Sequence, residues 1–274
     1  MSAVTSPNPP ASAPEAPRAR PPLGREGTPA TGNAPAQRRG VRRAVRAILV
    51  CLIAIATISE VNVATDPTLA SAPAAVTAID RAHGSKPEMI AASDRIAQAL
   101  VASEDDTFYS NNGVDDVALL RAFWGVVTRQ DLGGSTIEMQ LAHMLYPAVT
   151  DGLWGRVRRV SLALEFDTHF TKGAIVSMYL SAVYFGHGYY GIRAASAGYF
   201  GVTPEQLTWA QAALLAGIVQ APSQLDPLRN LAAAQARMTY VLQRLVSDGR
   251  LTESQAMQLE RSPLGVAKAP PAAP

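Results

Sequence analysis

The sequence predicts a mostly α-helical domain, and three observations lead to this fold class. From residue 87 onward apolar residues recur at spacings of three and four, as at Ile96, Leu100 and Phe108, which is the period of an amphipathic helix. The apolar runs are interrupted by turn-forming residues such as Gly133-Gly134. The sequence contains no convincing alternation of apolar and polar residues, as expected for strands, and no internal repeat.

Start signals for helices support the same class. The pattern in which Ser or Thr is followed three residues later by Glu or Gln occurs at Ser135–Glu138, Thr203–Gln206 and Thr208–Gln211. In such a capping box the two side chains satisfy free N–H groups of the first helical turn. Each of the three segments is therefore predicted to open a helix.

The chain divides by composition into five segments. Residues 1–40 are rich in Pro, Ala and Arg without apolar periodicity, so we expect a disordered tail. Residues 41–64 contain a hydrophobic run, residues 65–87 form an Ala-, Pro- and Thr-rich linker, residues 88–250 form the helical domain, and residues 251–274 form a C-terminal tail. With 274 residues, 48% of them hydrophobic, the chain can fill one sizeable core.

A cluster of arginines precedes an uncharged apolar stretch from Ala47 to Ser59. This stretch is shorter than the roughly 20 residues that a membrane-spanning helix needs. Three interpretations therefore stay open: a retained signal-anchor, a cleaved secretory signal, and a buried helix of a soluble protein. We favour a signal-anchor over residues 41–64, because Arg46 can extend toward the headgroups and uncharged neighbours lengthen the span.

The positive charge is confined to the N-terminal segment. Residues 1–46 contain eight arginines and two glutamates, a net charge of +6, whereas the whole chain carries +2, so residues 47–274 carry −4. By the positive-inside rule the basic segment marks the cytoplasmic side of a membrane, which places the main domain outside the cytoplasm. The domain itself lacks the basic patch typical of nucleic-acid binding, so no nucleic-acid partner is expected.

One acidic residue interrupts an apolar stripe. If the helix that begins near Asp94 continues to residue 108, Ile96, Leu100, Glu104 and Phe108 lie on one face, each four residues from the next. The two following acids are rotated away by about 100° and 200°, so they reach water or cap a neighbouring element. Glu104 is therefore a candidate general acid or base, whereas a solvated helix end is the simpler alternative.

Several common kinds of site are absent from the sequence. The four histidines show no metal-ligand spacing, the single Cys51 allows no intramolecular disulfide, and no serine is followed by lysine three positions later. The segment GHGYYG at 186–191 fits G-x-G-x-x-G, but it follows a helical pattern where a dinucleotide site requires a strand. Its glycines are predicted to form a compact turn between helices.

Four segments resemble, in order, the motifs of the peptidoglycan glycosyltransferase domain, glycosyltransferase family 51. They are LVASEDDTFYSNNGVD at 100–115, GGSTIEMQLA at 133–142, YLSAVYFGHGYYGIRAASAGYFG at 179–201 and LTWAQAALLAGIVQAPSQLDPLRN at 207–230. The resemblance covers about residues 88–245. The family occurs in bifunctional penicillin-binding proteins and in monofunctional transglycosylases.

The resemblance implies a lysozyme-like, mostly helical domain at the outer face of the bacterial cytoplasmic membrane, preceded by one membrane helix. It implies an enzyme that polymerises lipid II into glycan strands and releases undecaprenyl diphosphate. No transpeptidase pattern is found, which predicts the monofunctional form. The implied partners are lipid II, the nascent strand, the membrane and other cell-wall synthesis proteins; no cofactor is firmly implied, although the chemistry leaves room for a divalent cation.

By the same resemblance Glu104 corresponds to the principal catalytic glutamate, in an E-D-x-x-F motif that Asp105 and Phe108 complete. Its implied role is to take the proton from the 4-hydroxyl of the acceptor sugar as that oxygen attacks the anomeric carbon of the donor, with inversion. Asp105 and Phe108 are then expected in the substrate site.

The second motif implies further residues of the donor site: Gly134, Ser135, Thr136 and Gln140. Ser135 and Thr136 are equally compatible with helix caps. The leaving group carries a diphosphate that nearby cations would stabilise, and the candidates are His143, Arg156 and Arg159. Arg158 is a further candidate, or it stacks on Trp154 one turn earlier.

Several polar positions differ from the family pattern, whereas the apolar and glycine positions agree with it. Arg159 stands where the third motif has a glutamate, Met139 where the second has glutamine, and Asn111 where the first has histidine. Two hypotheses follow. The chain is a divergent enzyme with Glu104 as its base, or it is a membrane-tethered pseudoenzyme that binds lipid II or a cell-wall synthesis partner. An enzyme should keep two or more cations near Glu104.

Overall fold

The structure is a computed structural model that describes residues 69–85, 91, 94–114, 135–147 and 152–267, without the side chains of residues 152–154, 156 and 157. These ranges contain nine α-helices: α1 (Ala72–Ala82), α2 (Arg95–Glu104), α3 (Ile137–Leu145), α4 (Gly152–His169), α5 (Lys172–Ala182), α6 (Ile192–Phe200), α7 (Trp209–Ile218), α8 (Leu231–Ser247) and α9 (Glu253–Glu260). A 3-10 turn, Pro204–Gln206, precedes α7. Within the same ranges the β pairing is limited to an isolated bridge between Tyr184 and Tyr190, so the mostly helical prediction is confirmed.

Two of these helices lie where the composition predicted a linker and a tail. Helix α1 falls within residues 65–87 and buries Ala72 and Val76, one turn apart, in the core. Alanine-rich segments have high helix propensity, and small apolar residues suffice to dock a short helix against a core. Helix α9 falls within residues 251–274 and opens with the capping box Thr252–Gln255. Neither segment shows the repeated large apolar residues on which the sequence prediction relied.

Helix α7 lies at the centre of the core. Its residues from Ala212 to Ile218 are buried, as expected for a helix that is apolar on every side. It packs against α8 and α2, while α3 packs against α4 and α5. Helix α5 is likewise buried from Ile175 to Ala182. Helix α2 therefore packs between the apolar helix α7 and the amphipathic helix α8.

The helix starts agree in part with the sequence. The capping boxes at Thr203–Gln206 and Thr208–Gln211 are confirmed. The box at Ser135 was wrong by one residue, because Thr136 is the N-cap of α3 and its hydroxyl accepts a hydrogen bond from the N–H of Met139 at 3.2 Å. Ser135 lies exposed in front of the helix.

The described ranges contain no helix that is both long and apolar enough to cross a bilayer. The predicted tail, residues 1–40, and the predicted signal-anchor, residues 41–64, lie outside these ranges.

The glycines of GHGYYG form a compact turn between α5 and α6, as the sequence predicted. Gly186, Gly188 and Gly191 all have positive φ angles, of 84°, 79° and 77°. The turn is closed by a hydrogen bond from the N–H of Gly191 to the carbonyl of Val183 at 2.9 Å. A Cβ atom on Gly191 would lie 2.5 Å from the carbonyl oxygen of Ser181, whereas one on Gly188 would meet nothing within 4 Å.

These two glycines allow backbone strain to be separated from crowding. We expect Gly188→Ala to lower the free energy of unfolding by about 1 kcal/mol, the cost of a left-handed backbone. Gly191→Ala should lower it by about 3 kcal/mol, because the clash with the Ser181 carbonyl is added. Urea unfolding of the two variants measures the difference, and equal losses would contradict the crowding at Gly191.

Candidate functional site

Glu104 is the last residue of α2, and its carboxylate meets side chains from two other helices. Its Oε2 accepts a hydrogen bond from Nε2 of Gln140 on α3 at 3.0 Å. The amide oxygen of Gln140 in turn accepts a hydrogen bond from the hydroxyl of Tyr179 on α5 at 2.7 Å. The three side chains thus form a continuous hydrogen-bonded chain across α2, α3 and α5.

Tyr179 fixes the orientation of this chain. Its side chain is buried, and burial, reinforced by the negative charge of Glu104, raises the pKa of Tyr179 well above its usual 10. The hydroxyl therefore stays protonated and donates to Gln140. Because the amide oxygen of Gln140 is taken by this bond, its NH₂ group must face Glu104. The amide is thereby committed to donating to a carboxylate.

The second oxygen of Glu104 faces a cation. Nη2 of Arg237, on α8, lies 3.9 Å from Oε1 of Glu104, and the Glu104 side chain is 12% exposed. The guanidinium of Arg237 also lies over the ring of Tyr240, 4.2 Å from the ring centroid. Glu104 thus has one oxygen held by an amide and one beside a positive charge. The sequence-based criterion asked for two or more cations, of which Arg237 supplies one.

Asp105, the C-cap residue of α2, is turned into the protein. It accepts hydrogen bonds from Oγ1 of Thr107 at 2.9 Å and from Nδ2 of Asn111 at 3.3 Å, and its Oδ2 lies 3.4 Å from the N–H of Ile137. Burial raises the pKa of Asp105 above its usual value, and these hydrogen bonds oppose that effect. An acid beside the first N–H of α3 complements the positive end of that helix. Asp105 therefore joins the end of α2 to the start of α3.

The other two residues of the first motif have different surroundings. Asp106 is exposed and forms an ion pair with Nη2 of Arg244 on α8 at 2.6 Å. The sequence predicted that the acids beside Glu104 would cap a neighbouring element or reach water. Asp105 meets the start of α3, and Asp106 reaches water. Phe108 follows the end of α2 instead of continuing it, but its ring is fully buried.

A partly buried polar cluster lies beside Phe108, centred on Lys172 at the start of α5. Its ammonium contacts Oε1 of Glu138 at 2.7 Å, Oδ1 of Asp167 at 2.8 Å and Oδ1 of Asn111 at 2.9 Å. It also lies 4.6 Å from the centroid of the Phe108 ring. Glu138 is fully buried, and its Oε2 finds no hydrogen-bond partner in the described part of the chain. This cluster ties α3, α4 and α5 together.

The remaining predicted site residues are only partly brought together. Thr136 is buried, and its hydroxyl donates to the carbonyl of Gly113 at 2.9 Å, so its surroundings are those of a structural cap. His143 is exposed and Arg159 is half-buried. Gly134 and the side chain of Arg156 lie outside the described residues.

Arg158 pairs with a carboxylate of its own helix. Its Nη1 lies 3.2 Å from Oε1 of Glu165, and both side chains are buried. The hydroxyl of Ser161 donates to the same oxygen at 3.3 Å. This pair accounts for an arginine that the sequence had offered either to the diphosphate or to Trp154.

Sequence reasoning missed three residues of this region: Tyr179, Lys172 and Arg237. Tyr179 belongs to a segment that carried the family resemblance, but nothing in the spacing indicated that its hydroxyl would meet Gln140. Lys172 directly follows Thr171, the N-cap of α5, and no motif in the sequence marks it. Arg237 is one of two arginines on an amphipathic helix, 133 positions from Glu104, and no local signal could have found it.

No group of three or more His, Cys, Asp or Glu side chains in the described ranges is arranged to hold a metal ion.

The raised pKa of Glu138 leads to a pH dependence of stability. Burial raises the pKa of Glu138 above its usual 4.5, although its bond to Lys172 opposes the rise. The native state then holds this proton more tightly than the unfolded state does, so the stability contributed by Glu138 is complete below pH 4.5 and is lost as pH rises through the raised value. Glu138→Gln should reduce the fall in the free energy of unfolding in this window, by at most about 1.4 kcal/mol per pH unit.

Urea unfolding between about pH 4 and pH 7.5 measures this effect, since the window must bracket the ordinary glutamate pKa. Glu253→Gln, at an exposed position in the first turn of α9, is the matched control and should leave the profile unchanged. Parallel profiles for wild type and Glu138→Gln would show that Glu138 does not titrate differently in the two states.

Comparison with known proteins agrees with the motifs. The family profile described as Transglycosylase matches residues 74–246. Penicillin-binding protein 1A of Escherichia coli strain K12 is 36% identical over 174 residues, which are 62% of this chain and 19% of that protein. A Cupriavidus necator protein named "Putative transglycosylase" is 36% identical over 160 residues, 57% of this chain and 68% of that protein.

Among solved structures, Penicillin-Binding Protein 1A from Haemophilus influenzae is similar over 36% of this chain and 15% of its own, with 29% identity and a TM-score of 0.34. The chain thus spans about a fifth of the length of the penicillin-binding proteins that it matches. The profile match extends over more than half of the sequence, from α1 to α8. The chain belongs to the transglycosylase family, glycosyltransferase family 51.

Proposed function

We propose that this chain is a divergent, monofunctional peptidoglycan glycosyltransferase that polymerises lipid II, with Glu104 as its general base. The observation that carries the proposal is the state of the Glu104 carboxylate, which is partly shielded, held at one oxygen by Gln140 and placed beside a cation at the other. The transglycosylase activity is supported by the Cupriavidus necator relative, which is named "Putative transglycosylase" and is matched over 68% of its length. The lysozyme-like fold implied by the motifs is part of the same proposal.

In the proposed reaction the 4-oxygen of the acceptor sugar forms a bond to the anomeric carbon of the donor. The bond from that carbon to the diphosphate oxygen breaks on the opposite face, so the configuration inverts. The hydroxyl proton passes to Glu104, and undecaprenyl diphosphate leaves with the electron pair. A base held by a donor that is itself fixed, as Gln140 is by Tyr179, does not need to reorient before it accepts the proton.

The remaining predicted residues take two kinds of role in this proposal. Asp105, Phe108 and Thr136 act by holding the ends of α2 and α3, because their side chains are already engaged by protein groups or buried. The exposed side chains Ser135 and His143 are proposed to lie in the donor site. Cations of α4, Arg156 and Arg159, are proposed to offset the charge of the departing diphosphate.

The proposed topology follows the charge distribution. The basic residues 1–40 would lie in the cytoplasm, residues 41–64 would anchor the chain in the cytoplasmic membrane, and the domain of residues 88–250 would face lipid II at the outer surface. This arrangement places the reacting sugars and the membrane-bound leaving group on the same side.

The test is polymerisation of labelled lipid II by the full chain in detergent, beside Glu104→Gln and a known active transglycosylase. We expect glycan strands from the wild type and a loss of about 10²- to 10⁴-fold in rate for Glu104→Gln, the usual contribution of a general base. Asp106→Asn, which removes the exposed neighbouring acid, is the matched control. Assays with and without EDTA show whether a divalent cation contributes.

The outcomes separate the two hypotheses. Strands from wild type and from Asp106→Asn, but not from Glu104→Gln, would support the polymerase with Glu104 as base. Binding of lipid II without any strands from the wild type would overturn the proposal in favour of the membrane-tethered pseudoenzyme.

A further inference from the structure

We propose that Tyr240 of α8 binds a pyranose ring of the glycan beside Glu104, with the face of its own aromatic ring as the contact. This inference rests on the proposed function and adds a substrate contact outside the four motif segments. The exposed large hydrophobic side chains of the described ranges are Tyr109, Leu231, Tyr240 and Met257. Within that set Tyr240 is the one whose ring contacts a residue that faces Glu104.

The ring of Tyr240 is held from one side. The guanidinium carbon of Arg237, one turn earlier on α8, lies 4.2 Å from the centre of the ring, within the range of a cation–π contact. Tyr240 is nevertheless 41% exposed. A flat ring that is covered on one face and still exposed to this extent presents its other face to solvent. Covering that face with apolar C–H groups removes aromatic surface from water, which is favourable.

The contact with Arg237 is itself fixed by packing. A Cβ atom on Gly217 of α7 would come within 2.8 Å of Cγ of Arg237, so the stem of the arginine lies against the backbone of α7. Its guanidinium lies between the ring of Tyr240 and the carboxylate of Glu104. A tyrosine has only two side-chain torsions, and a ring that is already stacked loses little further entropy when a ligand binds. Tyr240 is therefore a preorganised contact surface.

The ring also lies close to the proposed base. Nη2 of Arg237 is 3.9 Å from Oε1 of Glu104, and the same guanidinium contacts the ring of Tyr240. With a C–N bond of about 1.3 Å between the two contacts, the ring centre is within about 10 Å of that carboxylate oxygen. A disaccharide can span this distance. A glycan whose reacting hydroxyl meets Glu104 therefore brings a neighbouring sugar within reach of Tyr240.

The surroundings of the ring fit a saccharide. A pyranose has an apolar face of C–H groups and a rim of hydroxyls, so it suits an aromatic ring that is bordered by hydrogen-bonding side chains. Arg237 borders Tyr240 on one side, and Arg244, which binds Asp106 at 2.6 Å, lies one turn beyond it on α8. Surfaces that dock proteins are depleted of charge at their centres. A tyrosine between two arginines that each face a carboxylate is better suited to a sugar.

The first test measures the binding of chitotetraose, a soluble oligosaccharide of N-acetylglucosamine without lipid or diphosphate, to the full chain by NMR titration. Tyr240→Ala should weaken binding about tenfold, which corresponds to the loss of one aromatic contact. Tyr240→Phe keeps the ring and should bind like the wild type. Tyr240→Leu keeps apolar bulk without a flat face and should resemble Tyr240→Ala. Met257→Ala, at an exposed position of α9, is the matched control and should leave binding unchanged.

Kinetics separate a substrate contact from an indirect effect through Arg237. If Tyr240 contacts the glycan, Tyr240→Ala should raise KM for lipid II by about tenfold and leave kcat nearly unchanged. If Tyr240 only supports Arg237, kcat should fall while KM and the affinity for chitotetraose stay the same. Circular dichroism verifies that each variant is folded, as expected for changes at an exposed side chain.

Equal binding of chitotetraose by wild type and Tyr240→Ala would overturn the inference, as would a loss that Tyr240→Phe shares. A fall in kcat alone would also overturn it. An inactive wild type whose binding of chitotetraose still depends on the ring at position 240 would refute the proposed polymerase and support the sugar contact. The failure of the inference and the failure of the proposed function are therefore distinguishable.

Discussion

The arrangement of the candidate site depends on how the chain leaves α2. Helix α2 ends at Glu104, and the next residue, Asp105, turns inward to meet the first N–H group of α3. A carboxylate that completes one helix while standing at the start of another fixes the direction of both. Because Glu104 directly precedes this junction and Gln140 lies one turn into α3, the same contact sets the distance between their side chains. The bond between Glu104 and Gln140 is a consequence of the junction.

The region behind this junction concentrates more negative than positive charge. Glu138 and Asp167 contact Lys172, whose charge also acts on Asp105, and burial raises the pKa of both Asp105 and Glu138. Desolvated acids cost stability unless donors or cations compensate them. Here Thr107, Asn111 and the N-terminus of α3 supply the donors to Asp105. Such a cluster is stable only if its side chains keep their relative positions. It can therefore hold the helices that orient Glu104 and Gln140.

The sequence predicted the class of the fold, the turn at GHGYYG and the prominence of Glu104, because each depends on local spacing. It placed the α3 cap at Ser135 because Ser135 has a glutamate three residues later, whereas Thr136 has Met139 there. In the structure Thr136 is the cap, and its hydroxyl also donates to the carbonyl of Gly113. It missed α1 and α9, whose apolar residues are few and small. It could not have found Arg237, since that residue reaches Glu104 through the packing of α8 on α2 and through the space left by Gly217.

The apolar character of α7 also affects how the domain opens. Local unfolding proceeds from segments with few buried contacts, and the slowest amides to exchange with solvent lie in the most buried helices. Helix α7 packs against both α2 and α8, the helices that carry Glu104 and Arg237. We therefore expect the amides of these helices to exchange more slowly than those at the periphery. Helix α9 buries Ala256 alone among its residues, so we expect its amides to exchange before those of α7. The backbone of α7, behind the Glu104–Arg237 pair, is therefore expected to be among the last parts of the domain to open.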